Sequence, residues 1–382
     1  MRSIPSFVIW FLSGSLMLMG GPGRLHAPAE PPAPASGPRV LRVENRGLLF
    51  TDNQAGVSGV DGGYSLPLGA QTLWLFGDTF LLHPTAPERP YVGGVSNCAL
   101  LVPRGRGTEP LRRYAFLTDA KTGLARPVIP NAAGEGTETR LWPAGGWYDA
   151  AHRRAYLYYS INRTTGGGPF DFRVEGMGLA CADVSRPAAL QFTRLKTRRG
   201  STLWWPGGGT DPIFGAAVIT DAPGDMLYIV GVQERGGRKF GKMARVRKER
   251  LADLDAYEYF AGSPTAPRWS KRLAEAADVE GLTAFPNELS VAYNPYLGGY
   301  LAVHSVLISQ RARLSLASQP WGPYRPIAEI GTPHLAYADA FCYAGKEHPE
   351  LAEQKGKVLY ITYVDSRRYW LSLLKVTLGP PP

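Results

Sequence analysis

The sequence predicts an all-β chain folded as a five-bladed β-propeller, on three observations. A strand of alternating aliphatic and aromatic residues that ends in a polar group recurs five times. A shorter strand precedes each copy and another strand follows it. Glycine and proline are abundant, at 45 and 33 residues, and without a collagen period that implies many short strands and turns.

The repeated strand is clearest in Leu73-Trp74-Leu75-Phe76-Gly77-Asp78, and its other copies are residues 155–160, 226–231, 299–304 and 358–363. They are spaced by roughly 60 to 80 residues, a period long enough for one sheet each. The preceding strands are expected at 63–66, 145–150, 212–220, 289–293 and 338–344. The following strands are expected at 95–102, 178–184, 242–246, 312–317 and 369–376. Sheets packed radially around a channel bury both faces, which accounts for strands that are apolar on both sides. Little has a helical period; residues 274–279 allow at most a short surface helix. A β-sandwich with long insertions is the competing architecture, and five similar units without a leftover core disfavour it.

The remaining segments set the domain plan. Residues 1–27 read as a signal peptide: Arg2, a short apolar run over 7–19, then Gly20, Gly21 and Gly23. The run is shorter than the roughly 20 apolar residues of a spanning helix, with an uncleaved anchor as the alternative. Residues 28–40, rich in proline and alanine, form a spacer, and 41–378 the propeller. The expectation is a secreted, periplasmic or cell-envelope protein with no integral membrane domain. Cys98, Cys181 and Cys342 lack metal-ligand spacing and are expected as buried free thiols, one disulfide being the alternative. The net charge of +10 falls to about +8 without Arg2 and Arg24. Its clusters, 194–199 and 235–250, suit either a solvated face or an acidic polymer. Export argues against nucleic acid as the partner.

In a propeller the innermost strands line the channel, and their leading segments face one mouth. Here those segments carry Asp61, Asp211, Glu288 and Asp339, and Asp78 ends the first repeated strand. Converging carboxylates suit glycosidic cleavage, in which one protonated acid donates to the leaving oxygen and one ionised acid attacks or activates water. Each also has a structural reading: Asp61-Gly62 and Asp211-Pro212 are common turn dipeptides, Asp78 could cap a turn, and Glu288 could end a loop. Tyr64, Trp204 and Trp205 are candidate stacking surfaces for sugar rings, with blade packing as the alternative. Asn97, Asn162, Asn287 and His304 are candidate hydrogen-bonding groups for sugar hydroxyls. His348-Pro349-Glu350 reads as a structural turn. No phosphate loop, nucleophile elbow or metal spacing occurs, so neither a cofactor nor a metal is expected.

Two stretches resemble the opening of the endo-D-arabinanase family, formerly a bacterial domain of unknown function. They are Val60-Asp61-Gly62-Gly63-Tyr64-Ser65 and Leu73-Trp74-Leu75-Phe76-Gly77-Asp78-Thr79. Asn287-Glu288-Leu289-Ser290 and Pro320-Trp321-Gly322-Pro323 are similar to its later motifs, and the resemblance spans roughly residues 45 to 377. It implies secreted hydrolysis of α-D-arabinofuranosyl linkages by two aspartates, which would be Asp61 and Asp78. Glu288 stays in play, because related propeller glycosidases often take their general acid from a later blade. The expectation is thus a secreted glycoside hydrolase degrading arabinan-like polysaccharide. A non-catalytic propeller that binds carbohydrate or an envelope partner is the alternative, and a lyase or another hydrolase on the same rim is a third.

Overall fold

The computed structural model describes residues 38–380 apart from 84–87, 168–170, 221–223, 284, 286, 307–308 and 334–339. Each repeated strand is the second strand of its own antiparallel sheet: Gln71–Leu82, Arg154–Thr164, Met226–Arg235, Gly299–Ser305 and Val358–Asp365. The five sheets, blades I to V in that order, have four or five strands each. Their innermost strands are Val57–Leu68, Thr139–Asp149, Ile213–Ile219, Ser290–Asn294 and Cys342–Glu347. Each inner strand lies against the inner strands of the blades on either side, and the last lies against the first, so the ring is closed. The protein is an all-β, five-bladed propeller. Among the described residues its helical content is single 3₁₀ turns, Leu273–Glu275 among them.

Alternation along the repeated strands is what joins the blades. Successive side chains of a strand point to opposite faces. In blade I, Leu73 and Leu75 pack with Leu141, Leu157 and Tyr159 of blade II. The intervening Trp74 and Phe76 pack with Tyr360, Leu371 and Leu373 of blade V. The same division holds in blade III, where Leu227 and Ile229 meet Tyr158 of blade II while Tyr228 and Val230 meet Val291 and Tyr300 of blade IV. A fifth cluster, with Leu301, Val303, Leu359 and Ile361, joins blades IV and V.

Blade V is completed from the other end of the chain. Val40–Leu48 pairs antiparallel with Trp370–Leu378 as its outermost strand, so the first described strand ties the last blade shut. The repeats alone assign that strand no place. Three inner strands also differ from expectation, the second running from Thr139 rather than from residue 145. The first runs from Val57 rather than from residue 63, which puts Asp61 inside a strand. The fifth begins at Cys342, and Asp339 lies outside the described residues, as do the expected signal peptide and most of the spacer. No helix among the described residues is long and apolar enough to cross a membrane.

Interblade packing makes the contrast between two leucines measurable. Leu301 is fully buried between blades IV and V, whereas Leu41 is 60% exposed on the closing strand. Chemical denaturation should show that Leu301→Ala loses about 2–5 kcal/mol of stability, while Leu41→Ala stays within about 0.5 kcal/mol of the parent.

Candidate active site

The first inner hairpin is irregular where its acids sit. Val60 pairs with Thr79 and Gly62 with Phe76, so Asp61 on one strand faces Gly77 and Asp78 on the other. Gly62 and Gly63 have φ of +79° and +78°, a backbone conformation costly for other residues. At Gly63 the space is also closed, since a Cβ would lie 2.6 Å from Leu371 Cδ1 of blade V. At Gly77 a Cβ would overlap the Asp61 carboxylate, so that glycine lets the carboxyl lie flat against the second strand. The double bulge thus sets Asp61 and Asp78 side by side at one mouth of the channel. Glu288, just ahead of the blade IV inner strand, joins them: its Oε1 lies 3.9 Å from where a side chain at Gly62 would begin.

Each acid is held by a residue from another blade. Tyr369, at the end of the Asp365–Trp370 turn of blade V, donates its hydroxyl to Asp61 Oδ2 at 3.0 Å. Arg140 Nη1 and Trp142 Nε1, two positions apart on the blade II inner strand, donate to Asp78 Oδ1 at 2.9 and 3.0 Å. Lys346 Nζ of blade V donates to Glu288 Oε1 at 3.0 Å and to the Ala344 carbonyl at 3.0 Å, and lies 4.3 Å from the centre of the Tyr64 ring. Lys346 is 2% exposed, while the side chains of Asp78 and Glu288 keep 20% and 23% exposure at the mouth.

The electrostatics raise both blade I carboxyls, Asp61 the further. Burial, then the charges of Asp78 and Glu288, push Asp61 well above the usual carboxylate range, against the Tyr369 hydrogen bond and Lys346. Burial also raises Asp78, but the Arg140 charge and the two hydrogen bonds from Arg140 and Trp142 oppose it. Burial lowers Lys346, against the attraction of Glu288. The Tyr343 phenol, raised first by burial, is raised further by Asp61, Glu288 and Asp78 together, so all three acids act on one point. Groups whose environments push their proton affinities apart are suited to acid and base roles.

The other expected site residues divide. Tyr64 is half-buried under Lys346 and within reach of the charges of Glu288 and Asp61. Asn287 is half-buried next to Glu288, with φ of +78°. Asp211 is exposed in the loop before the blade III inner strand, and the charges acting on Asp61 come from Asp78, Glu288 and Lys346 instead. Trp204 and Trp205 are not a sugar platform. They are 3% and 1% exposed between blades II and III, with their indole N–H groups bonded to the Leu195 carbonyl and the Tyr259 hydroxyl. The short strand Trp205–Pro206 pairs with Phe172–Asp183 and draws them inward.

Asn97 is fully buried and spends its amide on backbone, accepting from Val128 and Ile129 and donating to the Ile129 and Leu141 carbonyls. His304 is fully buried, with Nδ1 against the Ser305 carbonyl and its ring edge-on to Phe285. Neither can meet a sugar in the channel mouth.

Arg140, Trp142, Lys346 and Tyr369 escaped the sequence reading. Lys346 and Arg140 carry a signal there, each as the lone cation of a mostly apolar inner strand. Much of the basic surface is internally matched: Arg194, Arg198, Arg235, Lys242, Arg245 and Arg250 each form ion pairs. The three cysteines are free thiols, two of them buried. No group of three or more His, Cys, Asp or Glu among the described residues could hold a metal ion.

Similar solved structures include the catalytic domain of a GH62 α-L-arabinofuranosidase from Coprinopsis cinerea, at 12% identity over 89% of this chain and 97% of that one, with a TM-score of 0.45. Another is a GH43 β-xylosidase/α-arabinofuranosidase from a compost microbial metagenome, in complex with xylotriose in a calcium-free form, at 14% identity, 89% and 94% coverage and a TM-score of 0.47. A third is a family 117 glycoside hydrolase of the marine bacterium Zobellia galactanivorans, at 11% identity, 88% and 91% coverage and a TM-score of 0.46. No curated protein matches the chain. Residues 47–375 match the model of the family described as Domain of unknown function (DUF4185), and the chain belongs to that family.

Proposed function

We propose that this protein is an exported glycoside hydrolase that cleaves furanosyl, arabinan-like glycans with Asp61 and Asp78. The observation that carries the reading is the convergence of Asp61, Asp78 and Glu288 at one mouth, with partners that treat them unequally. Asp61 receives one hydrogen bond from a phenol and faces two like charges. It is assigned the proton and the role of general acid. Asp78 receives two hydrogen bonds, one from a guanidinium. It is assigned the ionised role, as nucleophile or as base to water. Glu288 and Lys346 form the charged wall beside them, with Tyr64 and Asn287 as candidate contacts to the sugar. The furanosyl specificity is supported by the resemblance of residues 60–65 and 73–79 to the arabinanase opening, and export by the pattern of residues 1–27.

Hydrolysis of arabinan and related glycans tests the assignment. Asp61→Asn and Asp78→Asn should each lower turnover by about 10²–10⁴-fold. An aryl furanoside with a good leaving group needs little protonation, so it should restore turnover to Asp61→Asn and not to Asp78→Asn. Wild-type turnover in both variants would remove the assignment to these two aspartates, and absence of turnover by the wild-type chain itself would favour a non-catalytic, glycan-binding propeller.

The pH profile tests the partners. Arg140→Gln removes the charge that opposes the upward push on Asp78, so the acidic limb of the activity profile should move up by about one pH unit or more. An unmoved limb would remove Arg140 from that role.

Stability carries a third signature. The proton affinity of Asp61 is higher in the folded chain than in the unfolded one, so the folded state loses stability as pH rises from the ordinary carboxylate range through the folded value. Asp61→Asn abolishes that loss. Thermal melts should show the variant gaining on the wild type as pH rises toward neutral, with the gain absent in strong acid.

A further inference from the structure

The residues that follow the acids along the inner strands line a far cavity of about 620 Å³, within the ~300–1,000 Å³ range of small-molecule sites. Trp147 and Tyr148 form aromatic wall, Ser65, Glu347 and Glu350 supply a polar end, and Tyr64 stands at the boundary with the acids. Its lining reaches Lys346, the residue bonded to Glu288 on the catalytic side.

Two buried acids stand here, one of them with an oxygen that has no donor. Glu347 is 5% exposed, and the Glu350 side chain is 4% exposed with an Oε1 that meets no hydrogen-bond partner. The nearby donors are largely committed elsewhere. Ser65 Oγ and His348 Nδ1 pair at 2.6 Å, and His348 Nε2 pairs with the Thr362 hydroxyl at 2.7 Å. Arg106 Nη1 bonds the Ala352 carbonyl at 2.5 Å, and Arg104 Nη1 the Gly69 carbonyl at 3.3 Å. Burial pushes the Glu350 carboxyl above its ordinary range, against a hydrogen bond from Ser65 and the charge of Arg104, and its Oε1 still lacks a donor. A buried acceptor left in that state is destabilising, and a ligand supplying the donor recovers the loss.

The chemistry of the lining names the ligand class. Burial and the charge of Glu350 push Glu347 up to about 8, so at neutral pH it is largely protonated and can donate while Glu350 accepts. Neighbouring donor and acceptor carboxyls suit vicinal hydroxyls, and aromatic wall suits the C–H faces of a sugar ring. We infer that the far cavity is a second carbohydrate site, separate from the catalytic mouth, held by Glu350, Glu347 and Trp147. His348-Pro349-Glu350, read from sequence as a turn, becomes its polar end. The inference rests on the glycan reading for the choice of sugar, and its test separates the two.

Calorimetric titration of the full chain with free arabinose, which cannot be hydrolysed, should show two sites per chain. Glu350→Gln and Trp147→Ala should each weaken one site at least tenfold and leave the rate of arabinan hydrolysis at the wild-type value. Trp147 is half-exposed, so its variant tests the cavity independently of any folding defect in Glu350→Gln. A single arabinose site beside intact hydrolysis would overturn this inference, as would two sites unchanged in both variants. Two sites in a chain that hydrolyses no glycan would overturn the glycosidase reading and leave the far site standing.

Discussion

Like charges buried within reach of one another resist ionising together, and the channel mouth gathers Asp61, Asp78 and Glu288 under that constraint. Nothing in blade I alone relieves it. Asp78 depends on Arg140 and Trp142 from blade II, Asp61 on Tyr369 from blade V, and Glu288 on Lys346 from blade V. The catalytic reading therefore requires the closed ring. Blade V can deliver Tyr369 and Lys346 only because it packs against blade I, where Trp74 and Phe76 meet Leu371 and Leu373, and because Val40–Leu48 completes its edge.

The bulge in the first hairpin serves the same end. A regular ladder would pair Asp61 directly with one residue of the second strand and alternate the flanking side chains across the sheet. Instead the extra residue opposite Asp61 turns Asp78 to the same mouth, and left-handed Gly62 and Gly63 absorb the distortion. Gly77 supplies the space in which the Asp61 carboxyl lies. The Asp-Gly pair that looks like a turn in sequence is thus a strand distortion that aims two carboxyls together.

The propeller was legible because its signal is local and repeated: each alternating strand must satisfy two neighbours, and that demand is written in consecutive residues such as Leu73 and Trp74. The acids of blade I were legible for the same reason, one lying on the strand before the repeated strand and the other within it. Their partners were not, since Arg140, Lys346 and Tyr369 come from other blades and reach the mouth only through ring closure. Burial misled the reading of ligand contacts. Trp204 and Trp205 sit beside a glycine-rich loop and look exposed, but a two-residue strand folds them into a blade interface. Asn97 and His304 are polar, yet their groups serve backbone inside the fold. Asp211 shares the position of the other acids in its blade and stays in solvent.

On the proposed assignment, neighbouring blades leave a proton on Asp61 and a charge on Asp78. Infrared difference spectroscopy near neutral pH, subtracting each asparagine variant from the wild type, reads it directly. The account predicts that the Asp61→Asn difference contains a lost protonated-carboxyl band, while the Asp78→Asn difference contains a lost carboxylate band. Two carboxylate bands, or the reverse assignment, would contradict it.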